Sequence, residues 1–315
     1  MRALVINTAF LGDVIFTAPL VANLQHAGYE VDLLTRPGYG ALLRPTGEAI
    51  AYDKRGEDRG TLGVFRIGRL LRERKPTLVL GAHPSVRSGL IAALSGAPRR
   101  LGWGPVGYHQ RVPRGPRFVE DARALGAAAG IPDRVHQPHI AASPAALAAG
   151  TVALVPGSRV ATKRWPHWAA VAGALEAAGH PVVWLGSHDE AHLAHGAGQR
   201  AFGLSLPDTA DLLAACAVAV GGDSGLLHLA RAVDTPVVML FGPTPAARLP
   251  DDPGRLDLWV ADLACRPCSP HGPARCPLGH HRCMADLDPA RVLRGIYAGF
   301  SAHRSEPWPK AARRS

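Results

Sequence analysis

Short apolar runs alternate along the chain with longer stretches in which apolar positions recur every three or four residues. The runs Ala3 to Asn7, Val31 to Thr35, Ala49 to Asp53 and Thr77 to Gly81 each precede a turn or an Ala/Leu-rich segment, which is the rhythm of βαβ units. After the weakly patterned stretch 131–150 the rhythm restarts, with runs at Val152 to Val155, Pro181 to Gly186, Ala217 to Val220 and Pro236 to Phe241. These runs are nearly continuous Val and Leu, as expected of strands covered by helices on both sheet faces. The pattern predicts an α/β protein of two doubly wound parallel-sheet domains, residues 1–145 and 146–288. A helix over 289–300 follows, then a solvated basic tail over 301–315 containing Lys310, Arg313 and Arg314.

Two helices are well marked. In the first, Val14, Thr17, Ala18, Val21 and Leu24 form one face and Asp13 occupies the cap position. In the second, Trp165, Trp168, Val171 and Leu175 recur at helical spacing, Pro166 suits the first turn and Gly179 the stop.

At 315 residues, two substantial cores fit in the chain. No window approaches the roughly 18 uncharged apolar residues of a membrane span. The chain opens directly on a strand pattern, without the apolar core of a signal peptide, so a cytoplasmic location is expected. A formal charge of +10 calls for an anionic partner. Nucleic acid fits poorly: aromatics are only 6% and the arginines are scattered, whereas base stacking wants aromatics interleaved with basic side chains.

Candidate chemistry sits in two turns of the second half. The run Val218-Ala219-Val220 leads through Gly221-Gly222-Asp223-Ser224 into a helix opening at Gly225-Leu226-Leu227-His228. A helix N-terminus offers unpaired N–H groups and about half a positive charge to an anion, and the glycines clear side chains from the approach. Earlier, Leu154-Val155-Pro156-Gly157-Ser158 makes a second such turn, followed by Lys163 and Arg164. Ser158 has a hydroxyl and Lys163 a point charge to offer a phosphate. Two phosphate-compatible turns in one half point to a nucleotide diphosphate. Each residue also has a plain structural role: Asp13 and Asp223 as helix caps, Lys163 and Arg164 as solvated charges, His228 as a packed histidine.

Cys265, Cys268, Cys276 and Cys283 form one tight cluster with His271, His280 and His281, while Cys216 stands apart in an apolar run. Clustered thiols in an intracellular chain suggest a metal before a disulfide, so the four are candidate ligands of a structural zinc. The alternative is reduced cysteines packed among Pro267, Pro270, Pro273 and Pro277.

Taken in order, Leu11-Gly12-Asp13-Val14, Pro156-Gly157-Ser158 with Lys163-Arg164-Trp165-Pro166, Asp223-Ser224-Gly225-Leu226-x-His228 and Phe241-Gly242-Pro243-Thr244 resemble the ADP-heptose:lipopolysaccharide heptosyltransferase family, glycosyltransferase family 9. The Cys-rich loop followed by Asp286-Leu287-Asp288-Pro289 is similar to that of heptosyltransferase II-like members. The resemblance spans most of the chain. It implies a GT-B architecture of two Rossmann-like domains facing a central cleft, acceptor on the N-terminal one and nucleotide sugar on the C-terminal one, with the final helix packing back toward the first. It implies inverting transfer of a heptose or related sugar from ADP-heptose to a lipopolysaccharide core acceptor, with Asp13, beside Gly12, as general base and no cofactor needed for catalysis. Gly157, Ser158 and Lys163 then resemble diphosphate contacts, Lys163 also stabilising the leaving group. Asp223, Ser224, Gly225, Leu226 and His228 resemble the donor motif, either Asp189 or Glu190 the ribose carboxylate, and Leu204 and Leu206 the adenine pocket.

Arg99, Arg100, Arg111, Arg114 and Arg117 lie where an anionic glycolipid or saccharide acceptor docks in that scheme, with peripheral contact to the inner membrane surface. The competing readings are a same-fold transferase with another nucleotide-sugar donor and a non-catalytic nucleotide-binding protein. No G-x-G-x-x-G follows the first strand, which weighs against the dinucleotide-binding form of the second.

Overall fold

The computed structural model describes residues 1–115, 117–249 and 252–302. The expected basic tail lies, from residue 303 onward, outside the described residues. Two compact units are present, Met1–Ile140 and one starting at Ala141.

The first unit is built on strands β1 (Arg2–Ile6), β2 (Glu30–Thr35), β3 (Ala49–Ala51), β4 (Leu78–Gly81), β5 (Arg99–Gly102) and β6 (Gln110–Arg111). They pair in the order β3-β2-β1-β4-β5-β6, all parallel. The central strand buries Ala3, Leu4, Val5 and Ile6, as a strand covered on both faces must. The second unit has β7 (Val152–Val155), β8 (Val182–Gly186), β9 (Gln199–Phe202), β10 (Val218–Gly222), β11 (Val237–Leu240) and β12 (Arg255–Leu258). Their order β12-β11-β10-β7-β8-β9, again all parallel, repeats the topology of the first sheet. In each sheet the winding reverses beside the first strand, between β1 and β4 and between β7 and β10. The carboxyl ends of those strand pairs are the places where doubly wound sheets bind ligands.

The eight predicted strands are all present, joined by β5, β6, β9 and β12. Asp13 is not the cap: the helix starts at Leu11 with Phe10 at its cap, and Asp13 lies in its first turn, where Oδ2 accepts from Phe10 N at 3.3 Å. The single helix expected from Val14 to Leu24 is two, Leu11–Ile15 and Ala18–His26. Pro19, in the first turn of the second, has no N–H to carry the ladder across the break. In the second unit the helix Trp168–Ala177 stops before Gly179, and Trp165, just ahead of it, is buried with its Nε1 donating to Leu287 O at 3.0 Å. The last helix, Pro289–Ala302, buries Val292 and Ile296 in the core of the second unit, against the helix Trp168–Ala177 and strands β10 and β11.

Candidate functional site

At the carboxyl ends of β7, β10 and β11 the second unit gathers its polar residues around one carboxylate. Lys163, the last residue of a 3-10 turn over Ala161–Lys163, points its Nζ at Asp223 Oδ2, 2.8 Å away, and at Asp223 O, 3.2 Å away. His228 Nε2 lies 3.4 Å from Asp223 Oδ1, and Thr244 Oγ1 donates to Oδ2 at 3.0 Å. Burial alone would raise the Asp223 pKa, but the His228 hydrogen bond and the Lys163 charge hold it well below the usual carboxylate range. Gly222 is required here, because a Cβ would meet the Lys163 carbonyl oxygen. Beside Asp223, Ser224 opens the helix Gly225–Ala232, yet its Oγ is buried without a hydrogen-bond partner among the described residues. Leu226 is half-buried in the first turn of that helix. Ser158 is buried in the β7 turn, and Arg164 Nε clasps its carbonyl at 3.0 Å.

The same edge brings in the next turn. Glu190, in the 3-10 turn His188–Leu193 after β8, lays its carboxylate directly against Gly157 and Gly186, leaving no room for a Cβ at residue 157. Its Oε2 accepts from Ser187 N at 2.9 Å, whereas Asp189 is exposed and only its carbonyl is engaged, by His192 Nδ1. Of the two candidate carboxylates, Glu190 is the one beside the β7 turn. Leu204 and Leu206 follow β9, Leu204 exposed and Leu206 half-buried at the start of the helix Leu206–Ala214. Thr244 had no role assigned from the sequence; its signal was its place in Phe241-Gly242-Pro243-Thr244, directly after β11.

The Cys-rich loop braces these turns, and its four cysteines are not gathered into the expected zinc site. Among the described residues no group of three or more His, Cys, Asp or Glu side chains is arranged to hold a metal ion. Each sulfur has a local neighbour instead: Cys265 Sγ faces His280 Nε2 at 3.9 Å, Cys268 Sγ donates to Cys265 O, Cys276 Sγ accepts from His281 N, and Cys283 is buried against Gly242. The loop reaches the 3-10 turn through Thr162, whose Oγ1 donates to Pro273 O at 2.6 Å and whose carbonyl lies 2.7 Å from His281 Nε2. Cys268 N donates to Pro243 O at 2.9 Å, fixing the turn before Thr244.

In the first unit the corresponding edge is basic. Thr8 follows β1 and His83 follows β4, and Thr8 Oγ1 lies 2.9 Å from His83 Nδ1, which also meets Ser88 Oγ at 3.2 Å. Arg36 Nε, after β2, and Lys54 Nζ, after β3, both donate to Thr8 O, at 3.2 and 3.4 Å. Arg114 stacks over Trp103 and pairs with Asp121. Burial, then the charges of Lys54, Arg36 and Arg114, push the His83 pKa down to about 4. Trp103 Nε1 and Tyr108 OH are buried without hydrogen-bond partners among the described residues. Of the arginines singled out from the sequence, only Arg114 belongs to this cluster. Arg100 is tied to Ala97 O and Gly107 O, Arg99 reaches Ala128 O, Arg117 pairs with Glu120, and Arg111 is exposed at the end of β6. Asp13 lies past β1, in the short helix that follows Thr8. Among the described residues no helix is long and apolar enough to cross a membrane.

Residues 64–271, well over half of the chain, match the family model described as glycosyltransferase family 9 (heptosyltransferase). Lipopolysaccharide heptosyltransferase 2 of Salmonella typhimurium is 26% identical, over 96% of this chain and 99% of its own. The solved ADP-heptose lps heptosyltransferase II of E. coli superimposes with a TM-score of 0.75 at 22% identity, covering 97% of this chain and 100% of that one. E. coli heptosyltransferase WaaC with ADP-2-deoxy-2-fluoro heptose gives 0.71 at 20% identity, covering 94% and 99%. The fold of two Rossmann-like parallel sheets is the GT-B fold.

Proposed function

The chain belongs to glycosyltransferase family 9, the heptosyltransferase family, and from that premise we propose that it moves a heptose from an ADP-activated donor to a saccharide of an anionic, lipid-carried lipopolysaccharide core. The observation that carries the donor half is the Lys163–Asp223 pair, 2.8 Å long, set under the glycine turns where the second sheet reverses its winding. Asp223 stays ionised and orients the Lys163 amine; the unpartnered Ser224 hydroxyl and the start of the helix Gly225–Ala232 offer donors to the diphosphate. Glu190 takes the ribose hydroxyls beside Gly157, and Leu204 and Leu206 flank the adenine.

In the transfer step, the acceptor oxygen attacks the anomeric carbon as the bond from that carbon to the diphosphate oxygen breaks. ADP departs with the bonding electrons, and the acceptor proton passes to the Asp13 carboxylate. Attack opposite the leaving diphosphate inverts the anomeric centre. Negative charge grows on the diphosphate in the transition state, so Lys163 and the helix N-terminus act more strongly there than in the ground state. Arg36, Lys54 and Arg114 supply the positive field for phosphate or carboxylate groups of the acceptor.

Calorimetry of ADP binding tests the donor half. Lys163→Ala removes a charge-assisted contact and is expected to weaken ADP about tenfold or more. Unchanged ADP affinity in that variant would remove Lys163 from the phosphate site.

A further inference from the structure

The first unit carries an exposed apolar face that its own core does not explain. The helix Gly60–Glu73 buries Val64, Ile67 and Leu71 beneath it, while Leu62 is 81% and Phe65 62% exposed on the opposite side. The neighbouring helix Val86–Leu94 adds Val86 and Leu90, and Val106 in the loop after β5 is exposed as well. These segments touch one another: Gly68 abuts Leu94, and Gly89 abuts the backbone of Val106. Phe65 and Leu90 each stand about one turn before the Gly68–Leu94 contact, so they lie at the same level of the helix pair.

Arginines run along the first of these helices. Arg59, Arg66, Arg69 and Arg72 are all exposed along or just before the first helix. Arg66 pairs with Asp58 and Arg69 with Glu73, whereas no ion pair joins Arg59 or Arg72 to a carboxylate among the described residues. Apolar side chains standing clear of the surface beside a row of cations are the chemistry of an anionic lipid interface. A second copy of the chain is a poor occupant, because a two-fold contact through this face would set the arginines of one copy against those of the other.

We propose that the helices Gly60–Glu73 and Val86–Leu94 form the face by which this protein docks on an anionic bilayer, Leu62 and Phe65 entering the headgroup boundary and Arg59, Arg66, Arg69 and Arg72 meeting lipid phosphates. The lipid-carried acceptor of the preceding section gives this docking its purpose, but the contact itself requires no transfer. Sedimentation of the full chain with phosphatidylglycerol-containing vesicles and with pure phosphatidylcholine vesicles tests it. The protein is expected to bind the anionic vesicles, less so as salt is raised. The double variant Leu62→Ser/Phe65→Ser is expected to bind about a hundredfold more weakly, roughly tenfold per anchoring side chain. Arg69→Gln/Arg72→Gln should cost about fivefold per charge. Urea unfolding of both variants is expected to match the unmodified protein, which shows the first unit folded, and unchanged ADP calorimetry keeps this result separate from the Lys163 test. Absence of binding to anionic vesicles, equal binding by the Leu62/Phe65 variant, or a dimer that the same variant dissolves would overturn the proposal.

Discussion

The two units reverse their winding at equivalent places and fill those places with opposite electrostatics. In the second, a carboxylate stands at the centre: Asp223 receives Lys163, His228 and Thr244, so the Lys163 cation is held in advance by a built-in anion. In the first, the centre is His83, and Arg36 and Lys54 rest on the Thr8 carbonyl while Arg114 lies over an indole face. One backbone plan thus yields a preorganised lysine in one unit and a concentrated positive field in the other. The contrast suits the roles proposed above, a donor whose diphosphate must be gripped during bond breaking and an acceptor whose charges must only be attracted.

The sharpest way to break this division of labour is Asp13→Ala. With Asp13 as the base, turnover is expected to fall by about a hundred to ten thousandfold. ADP affinity, assigned by the proposal to the second unit, should stay within about twofold, since uniform binding is untouched by loss of the base. Substantial residual transfer at saturating substrate would take Asp13 out of the proton step.

Most of this arrangement was legible because buried parallel strands write themselves as Val/Leu runs. The strands that escaped notice are the polar ones: β5 opens with Arg99-Arg100, β6 is Gln110-Arg111, β9 opens with Gln199-Arg200 and β12 with Arg255. β6, β9 and β12 are rim strands and β5 lies next to one, where charged side chains guard against further pairing and hide the strand pattern. The glycine turns of the second unit could be read from spacing, because the glycines are demanded by backbone approach. The first unit's basic cluster could not: Thr8, Arg36, Lys54 and His83 come from four separate turns with no shared motif and meet only once the strand order is known. The cysteines show the opposite case. Close spacing in sequence resembles a ligand set, whereas Cys265, Cys268 and Cys276 meet neighbours within the loop and Cys283 packs against Gly242.

A second substitution sharpens the contrast from the donor side. Asp223→Asn leaves the Lys163 charge without its buried partner and is expected to destabilise the second unit by about 3 kcal/mol at neutral pH, measured by urea unfolding. Because Asp223 is held below its ordinary pKa, its contribution is complete above that value and fades as pH falls beneath it. The gap between variant and parent should therefore narrow below about pH 4. A gap that stayed constant into strong acid would mean the carboxylate charge is not what organises the site.

The smallest effect is the most telling about the first unit. His83 titrates near 4 when folded and near 6.5 when exposed, so the unfolded chain takes up a proton that the folded chain refuses. Stability from this source is complete above pH 6.5 and is lost as pH falls toward 4, about 1–2 kcal/mol of it between pH 7 and pH 5. His83→Gln should flatten that slope, and an NMR titration of the His83 ring gives the midpoint directly. An anion bound among Arg36, Lys54 and Arg114 would cancel part of the field that repels the proton, so saturating inorganic phosphate should move the midpoint upward. The same addition to the second unit leaves Asp223 deprotonated throughout the range, since its counter-cations are its own neighbours. If His83 titrates near 6.5 without any anion present, the positive field is too weak to recruit an acidic acceptor, and the asymmetry between the two winding reversals loses its functional meaning.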